Sequence, residues 1–296
     1  MANLFNHMAL RNWVPAKGGP VIWPFGLAGS LTITNGQTVT LSANQVVDYQ
    51  NLTINAGGVL NITGGWGIIG VAGNLINNGT IQNINNNYYG QTLTATTPLG
   101  LGLSYTIGSP AGGSGGIAGH NYGTAPTGQS AGNGGWGGQS WNYYSSTLPM
   151  YGAAPGGARG LTGGGIYIRC KGTISGNGHF YAYGNGGAGG TVGQYGDSYD
   201  YVTTTYNSCS DPTQHHSTRS NDGSGSGGGG AGGPGGYVYI QVATGGMASW
   251  TGTTIVTGGG GGAGGAASGA WFGGYSGAAG ANGGGGAGGT YTLSYF

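Results

Sequence analysis

Residues 229–236 read Gly229-Gly230-Ala231-Gly232-Gly233-Pro234-Gly235-Gly236, so two of every three positions lack a side chain and the third carries Ala or Pro. A left-handed extended helix of the polyproline II type has three residues per turn, which stacks residues i, i+3 and i+6 in one column along its side. Two columns of this stretch are then bare backbone. Such a helix makes no internal hydrogen bonds; its N–H and C=O groups point sideways and need neighbours, which glycine allows to approach closely. The triplet extends over residues 227–236 and recurs at 112–119, 132–138, 184–190, 258–265 and 283–289. A bundle of glycine-rich helices is the expected product.

Two other readings of so much glycine have to be weighed. Collagen needs glycine at every third place over a long unbroken run with abundant proline, whereas these runs are short and the chain has 10 prolines in 296 residues. Disorder is the stronger competitor, since 77 glycines and 10 prolines approach the level that marks low complexity. Each ordered glycine also costs about 0.5–1 kcal/mol more than alanine in backbone entropy. Against disorder stand the triplet register, a charged fraction of only 4% where disordered chains are normally charge-rich, and hydrophobic strands directly abutting the runs. Inter-helix hydrogen bonds, each contributing about 0.5–1.5 kcal/mol net, offset the glycine entropy only when many helices pack together.

Outward from the runs, residues 1–29 hold Trp13, Pro15, Pro20, Trp23 and Pro24. That punctuation is too dense for a long helix and reads as an attachment or capping segment. Residues 30–107 contain short β-prone runs broken by Asn and Gly: Leu31-Thr32-Ile33-Thr34, Thr38-Val39-Thr40-Leu41, Leu52-Thr53-Ile54, Val59-Leu60-Asn61-Ile62, Ile68-Ile69-Gly70-Val71 and Leu75-Ile76. Two-residue alternation between turn signals marks half-buried strands. A spacing near 20 residues fits coils of a parallel β-helix, in which each turn buries its apolar positions on the next; a β-sandwich fits as well. Gly79-Thr80-Ile81, Gly172-Thr173-Ile174 and Gly252-Thr253-Thr254-Ile255 repeat the same element later. Strands Gly165-Ile166-Tyr167-Ile168-Arg169-Cys170, Tyr237-Val238-Tyr239-Ile240-Gln241-Val242 and Tyr291-Thr292-Leu293-Ser294-Tyr295-Phe296 emerge straight from glycine-rich sequence. The fold class expected is therefore all-β and irregular, with residues 108–296 forming a polyglycine II bundle continuous with the β part and interleaved with its strands.

A net charge of +1 from six basic residues and five Asp, with no Glu, argues against a nucleic-acid surface, which needs a clustered basic face, and against charge-driven binding to acidic membranes. The start, Met-Ala-Asn-Leu-Phe-Asn-His, has neither a basic n-region nor an apolar h-region, so the expectation is no signal peptide and synthesis in the cytosol. Cys170 lies in a strand-like run and Cys209 in a polar stretch; two unrelated thiols are expected rather than a disulfide.

Between the glycine runs lie stretches rich in Tyr, Trp, Ser, Asn and Thr, at 120–131, 139–151, 191–226 and 266–282. In a bundle these must be end loops. Rigid amphipathic rings with small polar partners give contact area at little entropy cost, the composition of recognition loops. The candidate contact residues are Trp141, Tyr143, Tyr144, Tyr195, Tyr199, Tyr201, His215, His216, Trp271, Phe272 and Tyr275. The competing reading is that they merely cover the bundle ends.

Catalysis finds little support. General acid/base chemistry usually asks for paired carboxylates, and Asp197 with Asp200 is the only close pair, Asp48 standing alone. No glycine run ends in Gly-Lys-Ser/Thr as a phosphate loop does, and no Gly-x-Ser-x-Gly elbow introduces a nucleophile. Cys209-Ser210-Asp211-Pro212-Thr213-Gln214-His215-His216 is the best ligand cluster, but a structural zinc site wants four ligands. No cofactor and no metal are expected.

Gly-Gly-X runs separated by aromatic loops, ending in a short β segment, resemble the glycine-rich receptor-binding adhesins at the tips of long tail fibres in T-even-like bacteriophages. The likeness covers residues 108–290. It implies polyglycine II helices packed in layers, an N-terminal segment joined to the tail fibre or another virion protein, and distal loops that bind a host outer-membrane protein or glycan. The protein would then sit on the virion, without enzymatic activity, with a homotrimer as one open assembly. The strand-rich stretch 30–83 departs from that pattern and looks more like a β-helix from a tail spike. The alternatives are a structural virion protein or fibre, an ice-binding polyglycine II bundle resembling that of snow fleas, and, third, a β-helix polysaccharide depolymerase.

Overall fold

The computed structural model describes residues 23–115, 154–193, 198–206, 212–220, 224–269 and 277–296, with backbone alone for 198–206 and 212–220. These residues form eighteen strands and no helix. Three parallel sheets carry the core, and the chain visits them in rotation, passing the first sheet without a strand only between its last two visits to the third. The first holds β1 (Leu31–Ile33), β4 (Leu52–Ile54), β7 (Leu75–Asn77) and β12 (Ile174–Ser175). The second holds β2 (Thr38–Ser42), β5 (Val59–Thr63), β8 (Thr80–Gln82), β13 (His179–Tyr181) and β17 (Thr253–Ile255). The third holds β3 (Val46–Tyr49), β6 (Trp66–Val71), β11 (Gly165–Cys170), β16 (Tyr237–Val242) and β18 (Thr290–Tyr295).

In-register stacking explains why the apolar alternation works. Leu52, Leu75 and Ile174 share one row of the first sheet, Leu60, Ile81 and Phe180 one row of the second, and Ile69, Ile168 and Ile240 one row of the third. All are fully buried in a single cluster between the sheets. A strand presents alternate residues to opposite faces, so one inward row per coil suffices. Asn77 takes a place in the inward row beside Ile54; its amide donates to His179 O (3.2 Å) and accepts from Gly79 N (3.1 Å), which satisfies the buried polar group. Of the three Gly-Thr-Ile repeats, those at 79–81 and 252–255 fall in the second sheet, whereas Ile174 pairs with Leu75 in the first. Local sequence likeness did not indicate equivalent places in the coil.

The outer face of the third sheet has its own cover. An antiparallel hairpin of β9 (Thr92–Thr96) and β10 (Gly102–Thr106) lays Leu93 and Leu103 over Trp66, Ile68 and Tyr167, and Trp66 Nε1 donates to Leu93 O (3.1 Å). Beyond it Trp23 stacks on Tyr167 and takes the place that a side chain at Gly70 would occupy. Arg169 Nε donates to Trp23 O (3.0 Å), and its Nη1 donates to Gln241 Oε1 (2.8 Å). Asp48, buried, accepts from Phe25 N and Gly26 N. Residues 23–29 are thereby fastened to the sheet. Residues 1–22, and with them Trp13, Pro15 and Pro20, lie outside the described residues.

Links from the second sheet to the third are short in the first two coils, Ala43-Asn44-Gln45 and Gly64-Gly65, where Asn44, Gly64 and Gly65 have positive φ. The three later links are the long ones, between β8 and β11, β13 and β16, and β17 and β18. Each leaves the coil along one glycine-rich segment and returns along another. The six segments, at 108–115, 154–164, 182–193, 224–236, 256–265 and 277–289, bond one another at every third residue. Gly157, Gly160 and Gly163 donate to Gly228, Ala231 and Pro234, a parallel pairing; Gly227, Gly230, Gly233 and Gly236 donate to Thr191, Ala188, Asn185 and Ala182, an antiparallel one. Gly259, Gly262 and Gly265 donate to Gly233, Gly230 and Gly227, and Gly229, Gly232 and Gly235 to Ala281, Gly284 and Ala287.

Segment 224–236 is central and buried along its whole length. A side chain at Gly229, Gly232 or Gly235 would strike the carbonyls of Gly262, Gly259 or Val256, and one at Gly230 or Gly233 those of Ala158 or Leu161. The third column, Ala231 and Pro234 in line with Gly228, faces the side of segment 108–115, where a side chain at Gly228 would strike Gly113 O and one at Gly108 would just touch Pro234. The two bare columns and the Ala/Pro column of the sequence therefore have distinct neighbours. Segment 154–164 was not among the expected runs. It needs only one bare column, Gly157, Gly160 and Gly163, because it lies on the outside of the group; the expected run at 132–138 lies outside the described residues.

The single described cysteine, Cys170, is buried and unpaired; Cys209 lies outside the described residues. Among the described residues no helix is long and apolar enough to cross a membrane.

Candidate functional site

The direction of the glycine segments decides where the intervening sequence emerges. Segments 154–164, 224–236 and 277–289 run into neighbouring strands of the third sheet, while 182–193 and 256–265 run away from neighbouring strands of the second. Segment 108–115 runs antiparallel to 277–289, since Ala281 N donates to Ser114 O and Gly284 N to Ala111 O. All three excursions therefore turn at the same end, away from the sheets.

That end is held by small polar groups. Thr191 N (3.1 Å) and Thr191 Oγ1 (2.7 Å) both donate to Pro155 O. Gly193 N donates to Ser226 Oγ (3.0 Å), whose hydroxyl in turn bonds Ala266 O. Ser226 N donates to Ala278 O (3.1 Å), Ser268 N to Gly277 O (3.2 Å), and Ser268 Oγ to Ser224 O. Ser224, Ser226 and Ser268 are buried, and the hydroxyls of Ser226 and Ser268 meet backbone groups that have no strand partner there. The outgoing and returning chains are tied into one platform. Sequence reasoning missed these serines, because serine beside glycine looks the same in a linker; their place at the ends of two triplet runs was the available signal.

The segments tied there lead into and out of three stretches, 116–153, 194–223 and 270–276. Trp141, Tyr143, Tyr144, Tyr195, Trp271, Phe272 and Tyr275 fall in their parts outside the described residues. Tyr199 and Tyr201 lie on β14 (Ser198–Tyr206) and His215 and His216 on β15 (Pro212–Ser220), which form an antiparallel hairpin. Tyr199 pairs with Arg219, Tyr201 with Ser217, His216 with Val202 and His215 with Thr203. Read as an aromatic loop, 191–226 thus contains a hairpin over 198–206 and 212–220, and the β-branched run Val202-Thr203-Thr204-Thr205 gives the reason. The described segments that lead into and out of the stretches carrying the eleven candidates turn at one end of the glycine-rich group.

Elsewhere the titratable groups are structural. Burial pushes the Tyr167 hydroxyl up to about 12 and the Cys170 thiol up to about 11, and it lowers Lys171. Tyr167 Oη donates to Gln241 Oε1 (2.6 Å), and Cys170 Sγ lies 3.3 Å from Gly73 O. Asp48 serves the backbone of Phe25 and Gly26. Among the described residues no three His, Cys, Asp or Glu side chains gather as metal ligands. Protein-family models, curated proteins and solved structures contain no match to this chain.

Proposed function

We propose that this chain is a non-catalytic adhesin of a virion tail fibre or tail tip, built on a three-sided β-helix whose late coils project a polyglycine II bundle. Rotation of the chain through three parallel sheets supports the first half of that description. Hydrogen bonds at every third residue between segments with bare columns support the second. The functional reading rests on one observation above the others: all three out-and-back excursions turn at one end, where a serine platform ties together the segments that lead into and out of 116–153, 194–223 and 270–276. Excursions that turned at scattered places would fit a bundle cover; excursions that all turn at one rigid platform fit a recognition surface. The partner is a host-cell surface protein or glycan. Residues 1–29 would join the fibre, the end of that segment being fastened through Trp23, Asp48 and Arg169.

Purified chain should block adsorption of the virus to its host cells, in proportion to the cell-bound protein. Undiminished adsorption under saturating protein would refute the reading.

The second reading, a structural or ice-binding protein, draws on Thr38, Thr40, Thr63 and Thr253, which are exposed on the outer face of the second sheet. Their rows are interrupted by Val59, Asn61, Gln82, His179 and Tyr181, so no repeating lattice of hydroxyls is presented. Thermal hysteresis of a protein solution would decide for it.

A further inference from the structure

The outer face of the second sheet carries a feature that the distal end does not explain. His179, Tyr181 and Tyr183 alternate outward along one strand and its extension, each partly exposed. Their rings form a continuous track: His179 stacks on Tyr181 with centroids 5.0 Å apart and planes 8° apart, and Tyr183 meets Tyr181 edge-on at 5.6 Å. On one flank, Gln82 pairs with Tyr181 and Asn61 with Gln82 in the ladder. Gln82 Nε2 donates to Asn61 Oδ1 (3.1 Å). Asn61 Nδ2 and Gln82 Oε1 have no other partner among the described residues and stay available as donor and acceptor. On the other flank the Thr253 hydroxyl meets His179 Nδ1 at 2.7 Å.

Charge narrows the occupant. None of the five strands of this sheet contains Lys, Arg, Asp or Glu, so the ladder offers no fixed charge to an acidic or basic ligand. Apolar surface is small, limited to the partly exposed Val59 and Ile255, which does not make the continuous patch expected for a protein partner. Flat rings bordered by amides and hydroxyls match a ligand that presents C–H faces to the rings and hydroxyls to the polar groups. Sugars have that chemistry. Neighbouring strands lie about 4.8 Å apart, so the flanking amides come within reach of the hydroxyls of a ring seated on Tyr181.

We propose that this face binds an uncharged polysaccharide chain, with His179, Tyr181 and Tyr183 as the stacking track and Asn61 and Gln82 as the hydrogen-bonding rail. The site is lateral, on the coils and away from the serine platform, and it does not depend on the distal stretches being a receptor site.

The test uses the full chain on a printed array of uncharged hexose and deoxyhexose oligosaccharides of increasing length, with sialylated and sulfated ones beside them. The parent should bind uncharged glycans, more strongly as they lengthen. Tyr181→Ala and Gln82→Ala should each weaken binding about tenfold or more, Tyr181→Phe should retain it, and the melting temperature should stay within a few degrees of the parent because these side chains face outward. Exchange of the distal stretches should leave this binding intact even where it abolishes adsorption, which separates the two sites. Binding confined to acidic glycans, no glycan binding, or equal binding by parent and Tyr181→Ala would overturn the proposal.

Discussion

At Gly232 a single missing methyl group decides whether two segments can touch. Its would-be Cβ runs into the backbone of Gly259, and backbone cannot rotate out of the way as a side chain can. Ala231, one position away and equally buried, already carries a methyl group. Gly232→Ala should destabilise by about 1–3 kcal/mol through overpacking, and Gly232→Val should abolish cooperative melting of the glycine segments, the branched side chain adding its own crowding. Ala231→Gly should cost about 1 kcal/mol or less. Thermal unfolding of the three variants checks the order; equal melting of Gly232→Val and parent would contradict the packing described. Two buried groups set an alkaline limit. Cys170 and Tyr167 have folded values near 11 and 12 against ordinary values of 9.0 and 10.0. Raised values favour the neutral forms, so their contribution to stability is complete below about pH 9 and is lost as pH rises through about 11 and 12. Tyr167→Phe should flatten the upper part of that decline in a plot of melting temperature against pH.

Elements differed in how openly the sequence declared them. Rungs such as Leu52-Thr53-Ile54 and Val59-Leu60-Asn61-Ile62 were plain, because each coil repeats one inward row between Asn and Gly turns. The central segment was plain for a related reason: with neighbours on every side, two of its columns had to be bare. Segment 154–164 was hidden because an outer segment bonds along fewer lines, so Arg159, Leu161 and Thr162 were tolerated there. Both hairpins were missed, β9–β10 for its thin apolar content and β14–β15 for a polar, tyrosine-rich composition that reads as loop. For the site, aromatic richness picked out the candidate stretches, but nothing local reveals that the segments flanking them, far apart in sequence, turn at one end; that follows from alternating segment direction. Changing Tyr143, Tyr144, Tyr199 and Tyr201 together to Ala should abolish receptor binding by several orders of magnitude, since interface energy concentrates in a few aromatic anchors each contributing about 2 kcal/mol or more. The melting temperature should barely change. Unaltered cell binding by a folded quadruple variant would remove the assignment.

For the whole molecule, eleven formal charges over 296 residues leave little for salt to screen. Cell binding should therefore survive moderate ionic strength, and no oligosaccharide should be released from host cells. Binding lost on a modest increase in salt, or hydrolysis that stops on Asp197→Asn, would replace the adhesin with a charge-driven binder or an enzyme. The pairing of glycine segments at every third residue also makes the projecting part a ruler graduated in triplets. One inserted residue in segment 224–236 would turn its columns by a third of a revolution and swing Ala231 or Pro234 into a lane reserved for backbone, whereas a whole Gly-Gly-X keeps every lane. At about 3.1 Å per residue, one triplet added to all six segments would carry the platform about 9 Å farther from the coils with its stretches still in register. Because each excursion must come back to the next coil, such growth proceeds by even numbers of segments, and the reach of the molecule changes in discrete steps.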